Sequence, residues 1–277
     1  MEVIFKSRHI GGEIVKVYSL IENVPYGLDD QYEHGLSLYI ETNNHKILFD
    51  TGQTGAFIEN AKRLGVKLEE INLVVLSHGH YDHTGGLQAF LKVNSQAPIY
   101  LSTYAFGEHY NAMNKYIGMD LSIQISNRLI FVEDYLKIDD ELELCSCNCN
   151  EKKYPIESAG LKEKKDGVFV PDCFKHEQYL IINENNRKVL ISGCSHKGIL
   201  NIMEWMKPDV LVGGFHYMKQ EITDSGNKIL DKASQELMQY DTQYYTCHCT
   251  GMVQYEYMKK CMGEKLHYLA SGQTILI

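Results

Sequence analysis

The chain has 277 residues, a formal net charge of −9, 44% hydrophobic and 23% charged residues. That composition excludes disordered and fibrous classes, and the acidic balance argues against a protein whose main work is gripping nucleic-acid phosphates. No stretch approaches the ~18 apolar residues of a membrane helix, and eight cysteines behind an N-terminal sequence without an apolar signal core predict a reducing, cytoplasmic setting.

In chain order, Leu36–Glu41 and Lys46–Phe49 flank Thr42-Asn43-Asn44-His45 and read as a hairpin. Gly55–Leu64 carries Phe57, Ala61 and Leu64 at helical spacing, with Gly65 as its stop. Ile71–Leu76 is a continuous apolar run of strand length, as a strand buried on both faces requires. After the polar loop Ser77–Gly86, Leu87–Val93 is helical again and Ile99–Leu101 is a short strand. Residues 104–175 are rich in Tyr, Asn, Lys and Glu, with no clean period until Leu129–Val132, and read as a cap or insertion. Gln178–Ile182 and Lys188–Ser192 form a second hairpin through Asn183–Arg187. Then follow a helix at Ile199–Met206, a strand at Asp209–Val212, helices at Lys232–Gln239 and Tyr255–Met262, and a closing strand at Gln273–Ile277. Strands and helices interleave throughout, so one α/β domain with mixed pairing is expected over residues 1–277.

The sharpest feature is Ser77-His78-Gly79-His80-Tyr81-Asp82-His83-Thr84-Gly85-Gly86, three imidazoles and a carboxylate within six residues directly after the buried strand. Imidazole nitrogen and carboxylate oxygen are the ligands that Zn²⁺, Fe²⁺ and Mn²⁺ accept. Glycines here allow a backbone tight enough to aim several side chains at one place. The bland alternative is a solvated His-rich loop, but with 12 histidines in 277 residues such clustering by chance is improbable.

The second hairpin extends the search. Its strands run antiparallel, so His176 and Glu177 before the first strand and Cys194, Ser195 and His196 after the second lie at the same end. His216 follows Asp209–Val212 and Gly213-Gly214 in the same manner, and His248 sits between a β-like run and a helix.

His-x-His-x-Asp-His after an apolar strand, with Leu48-Phe49-Asp50-Thr51-Gly52 upstream, resembles the metallo-β-lactamase superfamily. The resemblance implies a four-layer αβ/βα sandwich of two mixed β-sheets with metals at one edge. His78, His80 and a later His would hold one metal, and Asp82, His83 and another later His the second. Asp50 would orient a ligand imidazole. His196 and His248 are taken as the later ligands. Asp50, His176, Glu177 and Cys194 stand as alternative ligands or as supports of the ligands. Glu33-His34-Gly35-Leu36-Ser37, Gly193-Cys194-Ser195-His196-Lys197-Gly198-Ile199, Gly213-Gly214-Phe215-His216 and His248-Cys249-Thr250-Gly251 are similar to one branch, that named for 7,8-dihydropterin-6-methyl-4-(β-D-ribofuranosyl)aminobenzene-5′-phosphate synthase. Where many dinuclear members carry Gly-Asp, with the Asp bridging both metals, this chain has Gly193-Cys194.

The resemblance implies a metal-dependent enzyme, with Zn²⁺ (one or two ions; Fe²⁺ or Mn²⁺ as alternatives) activating water or acting as a Lewis acid. Asp82 would orient the nucleophile or shuttle its proton. The expected substrate is small and phosphorylated or pterin-like, turned over by a hydrolase or by a transferase of the branch's type. His216, Lys197 and Lys219 are the expected substrate contacts, the lysines suiting a phosphate. The partners expected are a small molecule, neither nucleic acid nor membrane, with a homo-oligomer left open. The rival reading is a non-catalytic metal-dependent binding or sensing protein, which predicts a closed coordination shell. Cys145-Ser146-Cys147-Asn148-Cys149 lacks the spacing of a structural zinc site.

Overall fold

The computed structural model describes residues 15–277; residues 1–14, on which much of the expectation of no export signal rests, lie outside it. Two seven-stranded sheets face each other. The first runs Thr274–Leu276, Lys16–Ile21, Ser37–Glu41, Lys46–Phe49, Leu73–Val75, Ile99–Ser102, Leu129–Val132. Pairing is antiparallel up to Lys46–Phe49 and parallel from there to the far edge. The second runs Leu266–Tyr268, Gln243–Thr246, Val210–Val212, Arg187–Ile191, Tyr179–Glu184, Leu142–Cys145, Tyr135–Lys137.

Period-two alternation explains the layering. Leu38, Ile40, Ile47 and Phe49 of the first sheet and Leu180, Ile182, Val189 and Ile191 of the second point into one shared core between the sheets. The intervening Tyr39 and Leu48 meet the helices Phe57–Arg63 and Leu87–Val93 on one outer face. Tyr179, Ile181 and Leu190 meet Ile199–Met206, Asp224–Leu237 and Met252–Met262 on the other. The result is the four-layer αβ/βα sandwich of two mixed sheets.

Both hairpins form. Leu38 pairs with Phe49 and Glu41 with Lys46 in the first. In the second, Glu184 pairs with Arg187 across Asn185 and Asn186, whose φ values of 52° and 60° give the two-residue turn that suits strand twist. The expected helices over Leu87–Val93 and Ile199–Met206 appear with those bounds, whereas the one expected at Lys232–Gln239 spans Asp224–Leu237.

The insertion over 104–175 needs correction. Leu129–Val132 is the edge strand of the first sheet, and Tyr135–Lys137 and Leu142–Cys145 belong to the second. Val132, Leu142 and Leu144 lie in the inter-sheet core. What remains outside the sandwich is two separate stretches, on either side of residues 129–145. They are stitched together by a small sheet of His109–Tyr110, Lys162–Lys165 and Val168–Pro171. Among the described residues no helix is long and apolar enough to cross a membrane.

Candidate metal centre

The strand Leu73–Val75 runs into Ser77 and His78, turns at Gly79, and reaches His80, which heads the four-residue helix Tyr81–Thr84. The turn has no slack. A methyl group on Gly79 would overlap the Ala105 carbonyl oxygen, and one on Gly193 of the facing hairpin would overlap the Ser77 hydroxyl. Gly79→Ala should therefore cost about 1–3 kcal/mol, since a backbone carbonyl cannot swing aside as a side chain can. Thermal unfolding measures it, and an unchanged melting temperature would show that the loop can yield.

This packing buries His78, His80, Asp82 and His83 together at the sheet edges. His78, His80 and His196 bring their ligating atoms within 4.8 Å of one another, and Asp82, His83 and His248 do the same. Cys194 shares one such group with His78 and His83 and another with His248 and Cys249, so its thiol stands between the two triads. Asp50, Ser195, His216 and His248 all have left-handed backbones (φ 58°, 60°, 59° and 47°), and such strain persists only where surrounding contacts impose it.

Hydrogen bonds fix which nitrogen of His83, His78 and His248 carries its proton. Asp50 Oδ2 lies 2.6 Å from His83 Nδ1, and a carboxylate only accepts, so His83 is protonated there and Nε2 holds the lone pair. Asp50 also accepts from the Ser77 backbone N–H and hydroxyl. With its own proton given to Asp50, the Ser77 hydroxyl accepts from His78 Nδ1 at 2.8 Å, leaving the lone pair on His78 Nε2. The Asn23 amide is oriented by Gly35 N–H donating to its oxygen, so His248 Nδ1 is the donor to Asn23 Oδ1 at 2.9 Å. His248 Nε2 and His83 Nε2 then face each other at 3.2 Å, and Cys194 Sγ lies 3.2 Å from the latter.

Burial, and after it the neighbouring imidazoles, pull His78, His80 and His196 well below the usual histidine range, so all three are neutral, the form that binds a cation. Burial likewise takes His248 down to about 4. Burial works against Asp82 as a carboxylate, but His83 and His248 hold it well below the usual range. For His83 burial also lowers, and Asp50 and Asp82 more than offset it. A proton on His83 relieves the His83–His248 contact. No proton serves the first triad, where His78 Nε2 and both nitrogens of His196 are buried without a partner. The donor set and these orphaned nitrogens fit a divalent cation.

The remaining expected residues take different places. Glu177 Oε1 accepts from His196 N–H at 2.6 Å, and its other oxygen from Lys197 N–H and the Tyr179 hydroxyl, so it clamps the His196 loop rather than facing the triads. His176 Nδ1 accepts from Gly79 N–H at 2.9 Å, which leaves a proton on Nε2 and takes it out of the ligand set. Lys197 is a correction. It is buried, and its ammonium donates to the Ser146 and Glu177 carbonyl oxygens instead of reaching the substrate space.

His216 and Lys219 do border that space. With His34, Tyr81, Asn111 and Leu161 they line a cavity of about 190 Å³ whose walls also include His80, Asp82, His196 and His248. The sequence reading left four supporting residues without a role. His34 Nε2 lies 3.3 Å from Asp82 Oδ2, and Asn23 holds His248. Glu22 is a buried carboxyl raised by burial to about 7, accepting from His248 N–H and the Tyr268 hydroxyl. Asp172 is bonded to His109. Only His34 had a signal, its position in Glu33-His34-Gly35; the others are brought in from distant segments.

The model of the metallo-beta-lactamase superfamily matches residues 32–198, more than half of the chain. The chain belongs to the metallo-beta-lactamase superfamily. Within it, an uncharacterized protein of Methanocaldococcus jannaschii is 33% identical over 231 residues, covering 79% of this chain and 84% of that protein. The 7,8-dihydropterin-6-methyl-4-(beta-D-ribofuranosyl)-aminobenzene-5'-phosphate synthase of the same organism is 26% identical over 94% of this chain and 96% of its own. Among solved structures, a metal-dependent hydrolase of the beta-lactamase superfamily superposes with a TM-score of 0.80 at 26% identity, over 95% of this chain and 99% of the other. The metallo-beta-lactamase fold protein YhfI from Bacillus subtilis shares the fold, with a TM-score of 0.57 at 14% identity over 96% of this chain and all of its own. Members of this superfamily generally bind divalent metals, and the two triads are where this one could hold them.

Proposed function

We propose that the chain is a metal-dependent enzyme that holds one divalent cation on His78, His80 and His196 and a second on Asp82, His83 and His248, and acts on a small phosphorylated or pterin-like molecule. The observation that carries this reading is the first triad: three neutral, buried imidazoles whose ligating atoms converge within 4.8 Å, with His78 Nε2 and both His196 nitrogens lacking any hydrogen-bond partner. Unpaired polar atoms in such numbers are too costly to gather at one point without a ligand. Cations bound there supply Lewis acidity and a hydroxide nucleophile near neutral pH.

The chain's own residues do the rest. Asp82 faces both His83 and His248 and also touches His34, whose side chain is 45% exposed in the cavity. A proton leaving the reacting centre therefore has a path through Asp82 to His34 and solvent. His216, taken down to about 4 by burial and then by Lys219, is neutral at pH 7 and offers one donor and one acceptor to substrate. Lys219 supplies the positive charge that a phosphate needs. An open cavity above the triads favours turnover over a purely structural metal, which would have a closed shell.

Elemental analysis tests the ligand assignment. Wild type should carry about two divalent ions per chain, and His196→Ala and His248→Ala about one each, because each removes a ligand from a different triad. A wild type without bound metal would sink the reading. Incubation with a phosphorylated pterin, an aryl phosphate and a hydroxymethyl-pterin, followed by product analysis, separates hydrolysis from condensation.

A further inference from the structure

A third group of metal-type side chains lies beside the first triad. His80, His109, Asp172 and His176 bring their ligating atoms within 4.8 Å of one another, all buried. It has the composition of another cation site, and its proton bookkeeping says otherwise. Because Gly79 N–H donates to His176 Nδ1, His176 Nε2 carries hydrogen and points at Asp172 Oδ2, 3.4 Å away. Asp172 Oδ2 also accepts from His109 Nδ1 at 2.8 Å, while Oδ1 accepts from Phe174 N–H at 2.7 Å. The carboxylate thus accepts from two donors, His109 Nδ1 and Phe174 N–H, with His176 Nε2 near it but not hydrogen-bonded. The His176 Nδ1 lone pair is taken by Gly79 N–H and His109 Nδ1 carries a proton, so neither nitrogen has a lone pair to give a metal.

One acceptor is left over. His109 Nε2 must hold a lone pair, since its ring proton is on Nδ1, and it is buried without a partner. One donor is missing on the other side. An imidazole that binds a metal through one nitrogen carries hydrogen on the other and almost always gives it to an acceptor. For His78, His83 and His248 those acceptors are Ser77, Asp50 and Asn23. For His80 no such acceptor is in place among the described residues, where its Nε2 is buried and unpartnered like that of His109. The two rings are 5.5 Å apart between centroids and nearly perpendicular at 78°, the edge-to-face arrangement from which an N–H can meet a ring nitrogen. The backbone supports the same docking: His80 bridges Gly118, Tyr81 N–H donates to Ile117 O, and Ile117 N–H donates to His109 O.

We propose that His109, held by its hydrogen bond to Asp172 and packed against the His176 ring, is the acceptor for the non-ligating Nε2–H of His80, so that residues outside the sandwich orient one ligand of the first metal. The inference rests on the two-metal reading above. His109 is a positioning residue, acting through His80, and Asp172 and His176 act through His109. The sequence gap is wide, His80 to His109 to Asp172, so the first metal is gripped fully only when the stretches flanking residues 129–145 are folded against the sandwich.

The test is metal affinity on the full chain, with zinc titrated against a chromophoric chelator so that two binding steps are resolved. His109→Phe keeps a ring but removes the acceptor and should weaken one step about 10–100-fold, leaving the other unchanged. His109→Gln, whose side-chain oxygen occupies the place of Nε2, should recover most of that loss, which a merely structural role would not predict. Equal affinity of His109→Phe and wild type at both steps overturns the proposal, as does a loss that His109→Gln does not reduce. If His109→Phe fails to fold, ¹⁵N-histidine NMR of zinc-loaded wild type decides: His109 protonated at Nδ1 with His80 protonated at Nε2 supports the pairing, and any other tautomer at either overturns it. A wild type that binds no zinc contradicts the two-metal reading itself, a result distinct from these.

Discussion

Stripping divalent cations from the protein with a chelator at neutral pH should abolish turnover and lower the melting temperature by on the order of 10 °C, both reversed by adding back zinc. The size follows from linkage: a cation present at 100 to 1,000 times its dissociation constant stabilises the folded chain by about 2.7–4.1 kcal/mol, and each 1 kcal/mol moves the midpoint of a chain this long by about 2–4 °C. The direction follows from the site. Without a cation, His78 Nε2 and the His196 nitrogens stay buried and unpaired. The neutral first triad gains nothing from protons. Differential scanning calorimetry with and without chelator makes the measurement. A melting temperature that ignores both chelator and zinc would mean that the triads tolerate their unpaired nitrogens, and the two-metal reading would fall with it.

What the sequence discloses is what sequence proximity can carry. His78, His80, Asp82 and His83 are legible because four candidate ligands sit on one strand-to-helix turn. Hairpin geometry brings His176, Glu177, Cys194, Ser195 and His196 to the same end, and the family resemblance selects His196 among them. The supports do not announce themselves, because Glu22 meets His248 across 226 positions and His109 meets Asp172 across 63. Lys197 shows the converse error. Adjacency to His196 suggested a substrate contact, but a side chain's direction in an irregular loop is set by what accepts from it, here two carbonyls in the interior. In the fold, runs buried on both sides such as Leu73–Val75 or Val210–Val212 stand out. Leu129–Val132 stands out within 104–175 but not as part of the sandwich, since it is an edge strand with Ile130 and Phe131 exposed.

Asp50 is a position where stability and metal binding should fail together. Its side chain is fully buried and accepts three hydrogen bonds, from Ser77 N–H, Ser77 Oγ and His83 Nδ1, at 2.7, 2.6 and 2.6 Å. Asp50→Ala removes the acceptors and leaves the donors in place. Each buried donor so orphaned costs about 1–3 kcal/mol, so a total on the order of 4 kcal/mol is expected once the Ser77 hydroxyl has rotated to another partner. His83 loses the group that fixes its tautomer, and Ser77 loses the reason its oxygen accepts from His78, so both triads should weaken, by about 10–100-fold in affinity. Asp50→Asn is the sharper comparison. With its oxygen in the place of Oδ2 it keeps two of the three donors, the Ser77 hydroxyl and His83 Nδ1, but its NH₂ then points at the Ser77 N–H, so the volume and both tautomers are preserved and one buried donor is left facing another. Asp50→Asn should therefore fold better than Asp50→Ala and bind zinc more tightly than it does, though less tightly than wild type, measured by denaturant unfolding alongside chelator competition. If Asp50→Asn bound zinc no better than Asp50→Ala, the tautomer argument for His83 and His78 would be wrong, and the metal-directed nitrogens would have to be assigned afresh.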